Sequence, residues 1–229
     1  MSNSKILYIF CIAVFIFNFC SCTTTNPLGK NSFAKEYFKE IAMETEWGQS
    51  PNRIRKWNED IFIFIHDDFS NIIENELIEI IEEINNLSSS IKLSLTTELD
   101  KANVHLYNRN KIEAGKILGK EIKRDFNGYF QINYNSSTCI IHSAYIFLNP
   151  NVNNNTCLKH ALREEVTQIL GLTNDSNKFD SSIFTTQESC ITQFDPIDKK
   201  LIRYILDPRV LACMDQSLVN EALKNISHK

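Results

Sequence analysis

The sequence predicts an α+β domain, a twisted mixed sheet backed by helices. Three observations predict it. Ile61-Phe62-Ile63-Phe64-Ile65 is continuously apolar, the pattern of a strand buried on both faces. Residues 130–148 alternate, turn at Asn135-Ser136-Ser137-Thr138 and then run apolar, which reads as a hairpin. Two segments, 69–84 and 158–170, carry apolar residues at helical spacing.

The 229 residues suit one globular domain, 43% hydrophobic and 23% charged. A formal net charge of -4 gives no general basic field, so nucleic acid is not an expected partner. Residues 1–22 read as a lipoprotein signal peptide. Lys5 opens it, a nearly unbroken apolar run follows, and Ser21 precedes Cys22 and the polar Thr23-Thr24-Thr25. Cys22 is the expected lipidation site. The expected localisation is an exported, membrane-anchored lipoprotein of the cell envelope, on the outer membrane or periplasmic face. Three of the seven cysteines lie in the signal, leaving Cys139, Cys157, Cys190 and Cys213. Four cysteines in an oxidising compartment imply two disulfides, with three pairings open.

The elements follow in order. Residues 23–46 read as a tether and a short helix over 32–43, with Phe33, Tyr37, Phe38 and Ile41 on one side. Residues 47–229 form a single domain. After the strand at 61–65, His66-Asp67-Asp68-Phe69-Ser70 turns the chain. Phe69, Ile72, Ile73, Leu77, Ile80, Ile81 and Ile84 then face inward, and Glu74, Glu76, Glu79, Glu82 and Glu83 are expected mostly in solvent. Ile91, Leu93 and Leu95 alternate as a second strand. A third spans 102–107, with His105 pointing opposite to Val104 and Leu106. Residues 112–118 allow a short helix. His142, in the hairpin, reads as a sheet residue. Asp195 and Pro196 fit the N-cap and first position of a helix with Ile197, Leu201, Ile202 and Ile205 on one face. A last helix covers 216–226.

The chemistry concentrates in residues 157–184. Glu164-Glu165-Val166-Thr167-Gln168-Ile169-Leu170-Gly171-Leu172-Thr173-Asn174 has the spacing of the metzincin zinc signature H-E-x-x-H-x-x-G-x-x-H. The second-position Glu and the Gly stand; the three histidines are replaced by Glu164, Gln168 and Asn174. On a helix at about 100° per residue, Leu158, Ala161, Leu162, Val166, Ile169 and Leu170 form one apolar stripe, and Glu165 falls inside it. A buried carboxylate needs partners. His160, Glu164 and Gln168 share the flank, and Gly171 suits a C-cap with positive φ. Zinc favours imidazole and thiolate, which this set does not offer. A harder divalent cation accepts oxygen donors such as Glu164, Gln168, Asn174 and Asp175, and a variant frame takes His160 and Glu164 at i, i+4 with Asp175 as the third, so these five are the candidate ligands. The competing expectation is a buried network of Glu164, Glu165, Gln168 and Asn174 that ties the helix to the loop after it.

C-x-x-H-x-x-x-E-E-x-x-Q-x-L-G-L-x-N-D, from Cys157 to Asp175, resembles the core of the bacterial family called domain of unknown function 2927. Arg55-Lys56-Trp57, Lys101-Ala102-Asn103-Val104, Ser182-Ile183-Phe184 and Leu206-Asp207-Pro208-Arg209 with Met214 match its landmarks. The resemblance implies an exported, often lipid-anchored protein with a zincin/metzincin-like twisted mixed sheet, an active-site-type helix and C-terminal helices. It implies no established reaction. Ser182 to Phe184 fall where a metzincin has its methionine turn, and with Gly171 they are expected to be structural. The resemblance also implies Cys139 paired with Cys157, and Cys190 with Cys213.

Two functions are expected from this. The first is a non-catalytic envelope protein, a pseudoenzyme that uses the old cleft for binding or assembly. Its partners are the membrane, through the lipid, and another envelope protein. The second is a divergent metal-dependent, peptidase-like hydrolase with Glu165 as general base. No cofactor is firmly expected.

Overall fold

The computed structural model describes residues 27–45, 52–187 and 190–226. The expected signal peptide, the expected lipidation site Cys22 and the start of the expected tether lie outside the described residues. No described helix is long and apolar enough to cross a membrane.

The structure is a mixed α+β domain. Helix α1 (Pro27–Met43) leads to strand β1 (Ile61–Ile65), helix α2 (Asn71–Leu87), and strands β2 (Leu93–Leu95) and β3 (Val104–Asn108). Helix α3 (Lys111–Leu118) precedes the hairpin of β4 (Gly128–Tyr134) and β5 (Ile141–Leu148). Helices α4 (Asn155–Gln168), α5 (Pro196–Ile205) and α6 (Gln216–Ile226) complete the chain. The sheet order is β2-β1-β3-β5-β4. Strands β2, β1, β3 and β5 are parallel, and β4 runs antiparallel to β5 at the edge.

Helix boundaries follow local chemistry. Asn110 caps α3 by accepting from the Ile112 and Glu113 N–H groups, and Gly119 ends it with φ 65°. Asn154 caps α4 in the same way through Thr156 and Cys157. Asp195 and Asp198 close a capping box on α5, with Pro196 in its first turn. Helix α1 starts at Pro27, five residues before the expected boundary, and buries Tyr37, Phe38 and Ile41. It packs against α5 and α6.

Helices α2 and α4 pack on each other and on one face of the sheet. Ile61, Ile63, Val104, Leu106, Ala144 and Ile146 fill the space between. The apolar run of β1 is not buried on both faces, as its sequence predicted. Phe62 is 37% exposed and Phe64 only half-buried. Parallel pairing sets Phe64 beside His105 and His105 beside Tyr145, so the second face is an aromatic ladder. Side-chain stacking there does part of the work of a covering helix layer.

Glu76 corrects another expectation. It is 2% exposed and sits between the helices, where Arg163 donates to it through Nε and Nη2 at 3.1 and 2.6 Å. Lys159 approaches its other oxygen at 2.9 Å. A charged residue on a helix wheel cannot announce a partner that arrives from a helix some eighty residues later.

The disulfides are Cys139–Cys213 and Cys157–Cys190, not the pairing implied by the resemblance. Cys139 lies just before β5 at φ 53°, where the chain meets the strap ahead of α6. Cys157 is in the first turn of α4, at the far end of the hairpin from Cys139.

Candidate functional site

A cleft of about 650 Å³ opens between α4, β4 and the segment 120–126. Glu164, Glu165 and Gln168 line it from α4, and Asp175 from the loop after the helix. Gly128, Tyr129 and Phe130 line it from β4; Lys120, Glu121, Lys123, Arg124 and Asp125 form the opposite rim. The cleft therefore has an acidic wall on the helix and a rim of mixed charge.

Glu165 is 5% exposed, as its place in the apolar stripe predicted. Its carboxylate lies against the backbone of β4 at Gly128. A Cβ at 128 would stand 2.6 Å from Glu165 Oε1 and 3.1 Å from Ala161 Cβ. Only glycine lets the strand come this close to the helix. Sequence reasoning passed over Gly128, although an isolated glycine opening an alternating strand is a known sign of close backbone approach.

The flank of α4 divides into two contacts. Gln168 Nε2 donates to Asp175 Oδ1 at 3.0 Å, tying the helix to the following loop. His160 is buried, and its Nδ1 lies 2.8 Å from the Ile191 carbonyl, so that nitrogen carries the proton. Its Nε2 is 3.5 Å from Glu164 Oε2. Burial pushes the His160 pKa down, more than the Ile191 carbonyl raises it, which favours the neutral ring. The expected network of Glu164, Glu165, Gln168 and Asn174 thus has a different partner at its centre: Asp175 receives Gln168. The Asn174 N–H donates to the Ile41 carbonyl at 3.1 Å, joining the loop to α1. Of the candidate ligands, Glu164, Gln168 and Asp175 share the cleft; His160 and Asn174 are not among its lining residues.

Zinc does not fit the signature positions. They present a carboxylate and two amides, and the Gln168 amide already donates to Asp175. Among the described residues, no group of three His, Cys, Asp or Glu is placed to hold a metal ion.

Beneath the cleft the helix end is locked. Gly171 has φ 110°, and a Cβ there would lie 2.1 Å from the Arg55 carbonyl oxygen. Arg55 donates to the Glu44 carbonyl at 2.9 Å and to Thr173 Oγ1. Trp57 Nε1 donates to the Ile169 carbonyl at 2.7 Å. Lys56 Nζ donates to the carbonyls of Asp207 and Val210 at 2.6 and 2.7 Å, and burial lowers its pKa to about 8. Ser182 and Phe184 are fully buried. Tyr37 donates to Ser182 Oγ at 3.0 Å, and Ser182 donates to Asp198 Oδ1 at 2.6 Å. Asp198 Oδ2 accepts from the Ile183 and Asp195 N–H groups. Desolvation nevertheless raises its pKa to about 6.

The fold and site define a mixed α+β domain with a cleft between an edge strand and a central helix. The chain belongs to the family described as a protein of unknown function (DUF2927), whose model matches residues 31–225. No curated protein matches it. Among solved structures it is similar to one described as the structure of myroilysin, at 11% identity and a TM-score of 0.39. That match covers 67% of this chain and 83% of the other, a likeness too low to define the fold.

Proposed function

We propose that this is an exported, lipid-anchored binding protein of the cell envelope with a degenerate metzincin-like architecture. In this reading its cleft holds an extended polypeptide of an envelope partner and does not hydrolyse it. The observation that carries the reading is β4. It is a full-length edge strand beside the cleft, and none of its seven residues is charged or proline. Exposed edges are normally blunted by charge, proline or brevity, as the three-residue β2 is at the other edge. An unblunted edge beside a cleft suits strand addition by a partner. The loss of every imidazole at the signature positions supports binding over catalysis, and the Ser21-Cys22 motif supports the anchor.

The test places a photo-cross-linking residue at Tyr129, and as a control at the exposed Leu218 on α6, in the producing cells. A discrete adduct with an envelope protein from position 129 alone is expected. Hydrolysis of peptides that is chelator-sensitive and lost in Glu165→Gln overturns the reading. Cys22→Ser is expected to release the protein from membranes; an unchanged membrane fraction overturns the anchor.

One pair of contacts favours the second reading, a divergent metal-dependent hydrolase with Glu165 as general base. His160 gives one ring N–H to a carbonyl and turns the other nitrogen toward Glu164, the arrangement that orients metal-binding histidines. This reading requires a stoichiometric divalent cation in protein purified without chelator. Content far below one equivalent refutes it.

A further inference from the structure

The aromatic face of the sheet, opposite α2 and α4, carries a feature unrelated to the cleft. Parallel pairing of β1 with β3 puts Phe64 beside His105 and Ile65 beside Leu106. The chain continues in register for one more residue, since the His66 N–H donates to the Leu106 carbonyl at 3.0 Å. His66 therefore emerges on the same face as His105. His66 Nε2 lies 3.0 Å from His105 Nδ1. Both rings are half-buried and held by neighbours. His66 stacks on Tyr107 at 4.1 Å between centroids and 11° between planes, and His105 lies 5.4 Å from Tyr145.

Two imidazole nitrogens this close must share either a proton or a cation. Burial pushes both pKa values down, more than Asp67 raises that of His66, and His66 lowers that of His105 further, so the doubly protonated state is disfavoured. The 3.0 Å separation is that of a hydrogen bond between the rings, so in the metal-free chain the pair shares one proton, which a divalent cation would displace. Two imidazole nitrogens with water in the remaining positions suit a tetragonal ion. Tetragonal nitrogen–oxygen sites belong to copper(II) and nickel(II), and copper(II) binds the more tightly of the two. The adjacent carboxylate, Asp67, is engaged: it accepts from the Asn108 N–H at 3.0 Å and pairs with Arg109. Water therefore completes the coordination.

We propose that His66 and His105 form a two-histidine surface site for a tetragonal divalent metal ion, copper(II) above the others.

The full chain, in detergent, is titrated with copper(II) alone in a non-coordinating buffer and followed by calorimetry and electron paramagnetic resonance. One equivalent is expected, with a splitting pattern from two equatorial nitrogens. His66→Gln and His105→Gln each weaken binding at least tenfold, and His142→Gln, an exposed histidine on β5, does not. In the unmutated chain, substoichiometric copper(II) broadens the His66 and His105 ring resonances before those of His142 and His160. This measurement stands even where a variant fails to fold. Equal affinity in the His105→Gln chain, no two-nitrogen pattern, or earlier broadening at His142 or His160 overturns the proposal.

Discussion

Replacing Arg163 by Leu isolates the contact that holds α4 against α2. Arg163 is 1% exposed. It gives two hydrogen bonds to Glu76 and one of 2.8 Å to Glu83, and its guanidinium lies 4.6 Å above the Phe194 ring. Removing one partner of a buried ion pair costs about 3–5 kcal/mol, most of it the stranded charge. Glu76 keeps Lys159 at 2.9 Å, which places the expected loss near the lower end, about 3 kcal/mol. For a chain of this size that lowers the melting temperature by roughly 6–12 °C. The double variant Glu76→Leu/Arg163→Leu removes both buried charges, and its loss is expected to be smaller than that of Arg163→Leu alone. Urea denaturation with the disulfides intact measures wild type, Arg163→Leu, Glu76→Leu and the double variant. A single variant within about 1 kcal/mol of wild type, or a double variant whose loss is the sum of the singles, refutes the account.

Two further predictions follow from the residues around the helix end. Gly171→Ala is expected to lose about 2–4 kcal/mol in the same denaturation, because its Cβ meets the Arg55 carbonyl at positive φ. Gly119→Ala, at φ 65° with open space around it, should lose only about 1 kcal/mol. Asp198 predicts a pH dependence. Its folded pKa of about 6 lies above the ordinary 3.8, so the folded state binds the proton more tightly. Its contribution is complete below about pH 4 and is lost as pH rises through 6, a change on the order of 3 kcal/mol. The slope of stability between pH 4 and 6, wild type minus Asp198→Asn, should be negative; a flat difference refutes the assignment.

The elements were largely legible because their signals are local. The last helix matches at both ends, and α3 and α5 lie within a residue or so of their expected starts, each marked by capping chemistry. The hairpin is visible in its alternation and its Asn-Ser-Ser turn. The buried position of Glu165 followed from the wheel alone, since a stripe on one helix needs no knowledge of its neighbours. Gly128 could have been found on the same grounds. What the wheel could not supply is the partner. Glu76 and Arg163, or Gln168 and Asp175, meet only when separate segments are packed.

The landmark residues of the family resemblance show the same division. Arg55, Lys56 and Trp57 look in sequence like a charged lead-in to a strand. In the fold they reach two distant stretches: the end of α4 at Ile169 and Thr173, and the Asp207–Val210 turn. They brace the floor beneath the cleft and do not line it.

The sequence by itself determined the element order, the placement of Glu165, the absence of histidine at the signature positions and the need for disulfides. Each of these rests on residue identity or on spacing within one element. The tertiary structure alone decided which cysteines pair, that Glu76 is buried, and that His66 and His105 converge on an aromatic face. Those facts depend on strand register and on contacts between residues tens of positions apart, where periodicity within a segment carries no information.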